Sequence, residues 1–126
     1  MKKIIYSDKA PKPSGVYSQG VVAGGFIFVS GQLPIDPETN NFIEQDIKKQ
    51  TRQVFKNIEQ ILATEGSKLK DIVKISALLL NMEDFTGMNE VFREFFSSDL
   101  PARTTSTVKT FPPGVLIEID AIALKN

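Results

Sequence analysis

The sequence of 126 residues contains no histidine, no cysteine and no tryptophan. Without cysteine there is no thiol nucleophile, no disulfide and no thiolate ligand for a metal. Without histidine there is no imidazole base, which excludes a Ser-His-Asp triad and the common zinc sites. The chain also lacks a calcium-loop spacing of carboxylates and a G-x-x-x-x-G-K phosphate loop. Any catalysis must therefore use the remaining polar side chains or the backbone.

The charges are balanced, since 15 Lys and Arg face 15 Asp and Glu, for a formal net charge of zero. General nucleic-acid binders usually carry a basic excess, so the composition argues against nucleic acid as a partner. No apolar run approaches membrane-spanning length, and the N-terminal segment lacks the apolar region of a signal peptide. We expect a cytoplasmic protein without a membrane partner, with residues 1–126 forming one domain.

Turn residues and hydrophobic periodicity predict the element order β-β-β-α-β-α-β-β. Gly24-Gly25 is a hairpin signal between two strands. The segment after Ser30 is rich in Gly, Pro, Asp and Asn and is predicted to be a long polar loop. The predicted strands are Lys3–Tyr6, Val16–Ala23, Phe26–Ser30, Asp71–Leu80, Arg103–Val108 and Val115–Leu124.

Apolar residues at 3.6-residue spacing predict two helices. Asp46 is a suitable N-cap for the first helix, and Gly66 ends it. The second helix is predicted over about Glu83–Phe96, with Asn81 as cap and Asp84 reaching back to it. Its apolar side consists of Phe85, Met88, Val91, Phe92 and Phe95.

Two predicted strands, 71–80 and 115–124, each have one wholly apolar face and one mixed face. Two helices can cover one face of a single sheet, which leaves the mixed face uncovered. A monomer that exposes so much apolar surface would be unusual, so the pattern predicts an oligomer formed through the open face. The apolar residues of the mixed face are Leu78, Leu80, Leu116, Ile122 and Leu124. The wholly apolar face of strand 71–80 consists of Val73, Ile75, Ala77 and Leu79.

Two carboxylates interrupt the last predicted strand. Period-two alternation puts Glu118 and Asp120 on the same face. A carboxylate flanked by Ile117 and Ile119 is costly to bury without a partner, so Glu118 is a candidate acid–base group. Solvent exposure or pairing with a lysine would explain Asp120 equally well.

Only three arginines occur in the chain. Arg52 and Arg93 fall within predicted helices, where a solvated role suffices. Arg103 begins a strand of small hydroxyl residues, and its guanidinium suits a carboxylate or phosphate held by two hydrogen bonds. A salt bridge within or between chains is an equal alternative.

Residues near the strand ends are further candidates by position. Tyr17 and Ser30 have ordinary interpretations as a half-buried aromatic and a turn residue. Gly31 indicates either a special backbone angle or a close approach of another group. Asn89, in the second predicted helix, would most often be a surface residue.

Five short blocks follow one another over essentially the whole chain: AP with GVYSQG, FVSGQLP, QTRQVFKNI, PARTT and IEIDAIA. No single block is specific, but in this order they resemble the RidA/YjgF family, the reactive intermediate deaminases. The resemblance implies an α+β fold, a chorismate-mutase-like two-layer sandwich with two helices on one face of one mixed β-sheet. It further implies a homotrimer through the other face, with ligand sites in clefts between subunits. The final strand would be inserted within the sheet, whereas the pattern alone pairs the last two strands as a hairpin.

The activity implied by the resemblance is that of a 2-iminobutanoate/2-iminopropanoate deaminase. It would hydrolyse enamines and imines, such as 2-aminoacrylate and 2-iminopropionate, to 2-oxo acids and ammonia. Arg103 would hold the substrate carboxylate, and Glu118 would orient a water and shuttle its proton. No metal or cofactor is expected, because an imine is already electrophilic. The implied substrate-binding residues are Tyr17, Ser30, Gly31, Asn89, Arg103 and Thr105.

Thr105 stands where many members of that family have a cysteine. Thiol-based redox switching is therefore not expected, although a role for the backbone at this position remains. Two other classes of function stay open. One is a non-catalytic sensor of 2-oxo acids. The other is an endoribonuclease or translation inhibitor, against which the neutral charge and the absence of histidine argue.

Overall fold

The computed structural model describes all 126 residues, which form eight strands and two α-helices. The strands are β1 (Lys3–Ile5), β2 (Gly20–Ala23), β3 (Phe26–Gln32), β4 (Ile35–Asp36), β5 (Asn41–Phe42), β6 (Ile72–Leu79), β7 (Ala102–Thr107) and β8 (Ile117–Leu124). The helices are α1 (Ile47–Ala63) and α2 (Phe85–Phe95). Neither helix has the length and apolar character needed to cross a bilayer.

Six strands form one mixed sheet in the order β1-β2-β3-β8-β6-β7. Every neighbouring pair is antiparallel except β6 and β7, which are parallel and are connected through α2, as a parallel pair requires a crossover. The position of β8 between β3 and β6 confirms the topology implied by the family resemblance, and the hairpin of the last two strands is wrong. Strands β4 and β5 form a separate ribbon within the segment predicted to be a loop.

The hydrophobic core lies between the sheet and the two helices, and 22 buried residues form one cluster there. Helix α1 packs on β3 and β8 and against α2. The apolar face of β8 is buried as predicted, since Ile117, Ile119 and Ala123 are fully inaccessible to solvent. This arrangement of two helices and a mixed sheet confirms the predicted α+β class.

The two helices begin differently. Asp46 caps α1 as predicted, because its Oδ1 accepts a hydrogen bond of 3.0 Å from the backbone N–H of Lys49. The chain leaves α1 through Gly66, whose φ of +73° favours glycine. Helix α2 starts only at Phe85, because a 3₁₀ turn precedes it. Neither Asn81 nor Asp84 makes a side-chain capping bond there, so the predicted capping box is wrong.

The predicted strand Val16–Ala23 is too long, because β2 begins at Gly20. The preceding residues form a loop that the buried side chain of Gln19 holds in place. Its Nε2 donates to the carbonyl oxygens of Ser7 and Pro11, both at 2.9 Å, and its Oε1 accepts from the backbone N–H of Ser7 at 2.7 Å. Satisfying this buried amide outweighs the strand propensity of the segment.

One predicted face assignment is also wrong. Val73 is 37% exposed, because the register between β6 and β8 shifts between Ile72 and Lys74 and turns its side chain away from the core. Leu116, predicted on the open face, is buried within the single chain but does not belong to the core cluster. It precedes β8, and its backbone N–H donates to the side chain of Gln50 at 2.8 Å.

The open face of the sheet has an apolar end. Ile4, Val21, Phe28 and Ile122 are successive cross-strand partners from β1 to β8. Phe28 is 43% and Leu124 is 44% exposed in the single chain. The uncovered apolar surface predicted from the sequence is therefore present, and the polar residues of β8 lie beside it.

Candidate active site

Strand β8 positions two carboxylates on the open face. Glu118 and Asp120 alternate with buried residues and lie opposite Leu78 and Ser76 of β6. Both are partly buried, and neither belongs to any of the five salt bridges of the chain. No group of three or more carboxylates is arranged to hold a metal ion.

The two carboxyl groups have different surroundings. Burial raises the pKa of Glu118, and the negative charge of Asp120 raises it further. Burial also raises the pKa of Asp120, but a hydrogen bond with Ser76 and the charge of Lys74 act in the opposite direction. Glu118 is thus the carboxyl group without a compensating partner, which makes it a stronger proton acceptor than an ordinary glutamate.

Gly31 lies directly against Glu118. A β-carbon at position 31 would overlap Oε2 of Glu118 and would lie 2.8 Å from its Cδ. The φ of Gly31 is not positive, so glycine is needed here for the close approach of Glu118 in this position rather than for a special backbone angle. The approach coincides with a register shift between Val29 and Gln32 in the pairing of β3 with β8.

A cleft of about 1100 Å³ opens beside Glu118 and includes Tyr17, Ser30 and Gly31. Ser30 Oγ donates to the carbonyl oxygen of Ser18 at 2.6 Å. The hydroxyl of Tyr17 accepts from the backbone N–H of Ser14 at 3.3 Å. The structure therefore places four of the predicted site residues in one cleft, where the two hydroxyl groups brace its wall.

Buried amide side chains fix the loops of this cleft, and this role was not predicted from the sequence. Asn57 Nδ2 donates to the carbonyl oxygen of Ile35 at 2.9 Å, and Gln50 Nε2 donates to that of Gly114 at 2.7 Å. Gln19 holds a third loop in the same way. The signal for this role was the position of Gln50 and Asn57 on α1. Both are polar residues on the buried side of the helix, where their amides need hydrogen-bond partners.

Arg103 points to the other side of the sheet. It lies opposite Ile75, whose side chain is in the core, so its guanidinium projects toward α2. Its Nη1 donates to Oδ1 of Asn89 at 2.7 Å. No salt bridge of the chain includes Arg103, which excludes the intrachain ion pair considered above. Burial lowers the pKa of Arg103, although a guanidinium stays protonated.

The side chain of Arg103 also contacts two aromatic rings whose spacing on the second helix predicts only a role in the core. Its Cζ lies 4.8 Å from the ring centroid of Phe92 and 5.5 Å from that of Phe85. These distances are within the range of cation–π interactions. A second cleft, of about 410 Å³, opens here and includes Asn89, Phe92 and Arg103.

Thr105 follows Arg103 on the same side of β7. Its Oγ1 is the one buried side-chain polar atom of the chain without a hydrogen-bond partner. An unsatisfied buried hydroxyl is costly, and such groups are rare in folded proteins. The arginine side of the sheet therefore carries an unused polar group as well as an unpaired cation.

The single chain does not join the predicted site residues into one site. Tyr17, Ser30, Gly31 and Glu118 share the cleft on the open face. Arg103 and Thr105 of the edge strand β7 lie on the helix side, together with Asn89 of α2. The sheet separates the unpaired cation from the unpaired carboxyl group.

Residues 7–125 match the model of the family described as Endoribonuclease L-PSP. A RutC family protein of Pyrococcus horikoshii is 50% identical over 126 residues, which cover 100% of both chains. The 2-iminobutanoate/2-iminopropanoate deaminase of Rattus norvegicus is 36% identical over 100% of this chain and 92% of its own length. The crystal structure of E. coli TdcF with bound serine has a TM-score of 0.91 and 35% identity, covering 98% of this chain and 99% of TdcF.

Proposed function

The chain belongs to the RidA/YjgF family, and we propose that it hydrolyses enamines and imines of 2-amino acids to 2-oxo acids and ammonia. The observation that carries the proposal is a pair of unpaired opposite charges. Arg103 is a partly buried cation without a carboxylate, and Glu118 is a partly buried carboxyl group without a cation. A small anionic substrate attacked by water needs one group of each kind.

Arg103 binds the substrate carboxylate in this proposal. Its Nη1 is engaged by Asn89, which leaves Nε and Nη2 as two parallel donors for a carboxylate. Such a pair of hydrogen bonds fixes the orientation of the substrate as well as its position. In a partly dehydrated cleft the charge interaction is stronger than in water. Arg103 thus supplies binding and alignment.

Glu118 activates the water. Its carboxylate accepts a proton as the water oxygen attacks the imine carbon, and the proton passes to the nitrogen. The resulting carbinolamine then gives its hydroxyl proton to the nitrogen through Glu118 as the C–N bond breaks, which releases ammonia and leaves the 2-oxo acid. The raised pKa of Glu118 makes it both a better acceptor and a usable donor in these steps.

A shared site requires a second copy of the chain, because Arg103 and Glu118 lie on opposite sides of the sheet. We propose a homotrimer that buries the open face and sets the β7 edge of one subunit against the Glu118 cleft of the next. The exposed Phe28 and Leu124 support this assembly, since a stable monomer rarely leaves such a patch uncovered. Arg103 would then line one cleft with Glu118 of a neighbouring subunit, with the substrate between the two side chains.

The decisive assay generates imines in place from several amino acids and follows the release of 2-oxo acid and ammonia. Arg103→Ala should lower kcat/KM by roughly 10²-fold or more, because truncation removes the charge that binds the substrate. Arg52→Ala is the matched control, since Arg52 is a surface arginine paired with Glu94. A variant Arg103→Ala with the wild-type rate would refute the assignment. Binding of 2-oxo acids by the wild type without turnover would instead identify a sensor.

A further inference from the structure

We propose that Phe92, supported by Phe85, is a positioning residue that holds the guanidinium of Arg103 in the orientation required by the substrate carboxylate. The inference rests on the proposed function of Arg103. The sequence pattern predicts both phenylalanines only as core residues. Their role as an aromatic support for Arg103 is therefore an addition to what the family resemblance implies.

Helix α2 presents the three contacts of Arg103 as one stripe. Phe85, Asn89 and Phe92 are spaced four and three residues apart, so they lie on one face of the helix. Asn89 fixes one end of the guanidinium through its 2.7 Å hydrogen bond. The rings of Phe92 and Phe85 lie 4.8 Å and 5.5 Å from Cζ. Arg103 is therefore held by one acceptor and two rings.

The ring of Phe92 is a rigid support. It is only 8% exposed, and its centroid lies 5.0 Å from that of Phe55 in an edge-to-face arrangement of 78°. Phe55 is fully buried and contacts Phe95 and Phe96 as well. This aromatic cluster holds the ring of Phe92 in one place. The guanidinium of Arg103 therefore packs against a ring that does not move.

The chemistry of these contacts suits an anion-binding arginine. A carboxylate partner within the chain would orient Arg103 but would also neutralise it and compete with the substrate. An amide oxygen and aromatic faces orient the guanidinium while leaving its positive charge uncompensated. Ordering the side chain before binding lowers the entropy lost when the substrate carboxylate arrives.

The test compares Phe92→Leu with Phe95→Leu in the assembled protein. Both rings lie 5.0 Å from Phe55, but only Phe92 contacts Arg103. Phe92→Leu should raise KM for imines and the Kd of 2-oxobutyrate by roughly fivefold to thirtyfold, with a smaller change in kcat. Phe95→Leu should leave both constants near the wild-type values, and Phe92→Tyr should restore them because it retains the ring.

Equal effects of Phe92→Leu and Phe95→Leu would overturn the inference, since they would indicate a packing role only. If Phe92→Leu does not fold, successive fluorination of the Phe92 ring keeps its shape while weakening its attraction for cations. Affinity for 2-oxobutyrate should then fall with each fluorine, and a constant affinity would overturn the inference. Unchanged binding by Arg103→Ala would defeat the proposed function itself, whereas loss with Arg103→Ala but not with Phe92→Leu would defeat only this inference.

Discussion

Gly31 contacts Glu118 so closely that position 31 has no space for a side chain. A β-carbon there would lie 2.8 Å from Cδ and 3.2 Å from Cγ of Glu118. The backbone of β3 therefore forms a wall against the carboxyl group and restricts its rotamers. A group that must align a water within hydrogen-bond reach benefits from such restriction.

Gly31→Ala should displace the carboxyl group of Glu118 and lower kcat/KM by roughly 10²-fold, the effect of about 1 Å of misplacement. The melting temperature should change much less, because the side chain of Glu118 is partly exposed and can move. Gly24→Asn is the control, since Gly24 has a φ of +57°, which asparagine tolerates, and a β-carbon there would meet no atom within 4 Å. Wild-type activity in Gly31→Ala would show that the contact is not functional.

The pH dependence of kcat/KM should report the pKa of Glu118. The active form is the carboxylate, so the rate should fall as pH decreases through a pKa above the ordinary value for glutamate, about 4.3. Asp120→Asn removes a negative charge that raises this pKa. The acidic limb of the pH profile of kcat/KM should therefore move to lower pH. Glu118→Gln should abolish the limb and lower the rate by about 10²- to 10⁴-fold. If Asp120→Asn leaves the acidic limb of the profile in place, the charge of Asp120 does not raise the pKa of Glu118, which would contradict this explanation.

The stability of Glu118→Gln distinguishes a ligand role from an intersubunit salt bridge. Because the pKa of Glu118 is raised on folding, its charged form destabilises the folded protein at pH values above the unfolded pKa. Glu118→Gln should therefore raise the melting temperature near pH 7, and the gain should disappear as pH approaches 4. A lowered melting temperature at pH 7 would indicate that the carboxylate pairs with Arg103 in the resting protein.

Phe28→Asp should disrupt the assembly through the open face. The ring of Phe28 is 43% exposed in the single chain, and a charge in a buried interface is costly. We expect the wild type to have about three times the chain mass of 14.0 kDa in light scattering, and the variant to be monomeric and inactive. Lys56→Asp, at an exposed position of α1 on the helix side of the sheet, is the control and should leave the assembly and the activity unchanged.

The sequence allowed prediction of the elements whose local signals agree with their packing. Helix α1 carries a helical apolar face, an N-cap at Asp46 and a stop at Gly66, and all three are observed. The period-two pattern of β8 likewise placed Glu118 and Ile119 on opposite faces. The register shift that exposes Val73 was not predictable, because it depends on the pairing with β8 rather than on the sequence of β6.

The candidate site was only partly predictable for the same reason. Gly31 was singled out by residue type, but the group it accommodates follows from the pairing of β3 with β8. Phe92 is one apolar residue among several on α2, and only the position of β7 beside that helix sets it against Arg103. Contacts between distant segments thus decide which core residues also support the site.

Mixing two inactive variants tests most directly the central claim that Arg103 and Glu118 act together across a subunit boundary. Arg103→Ala and Glu118→Gln chains with different tags are co-expressed, and mixed assemblies are purified through both tags. Each mixed trimer then has one boundary at which an intact Arg103 meets an intact Glu118, so about one third of the wild-type activity should return. If both residues acted within one chain, the mixed assemblies would stay as inactive as their parents, and the shared site would be refuted.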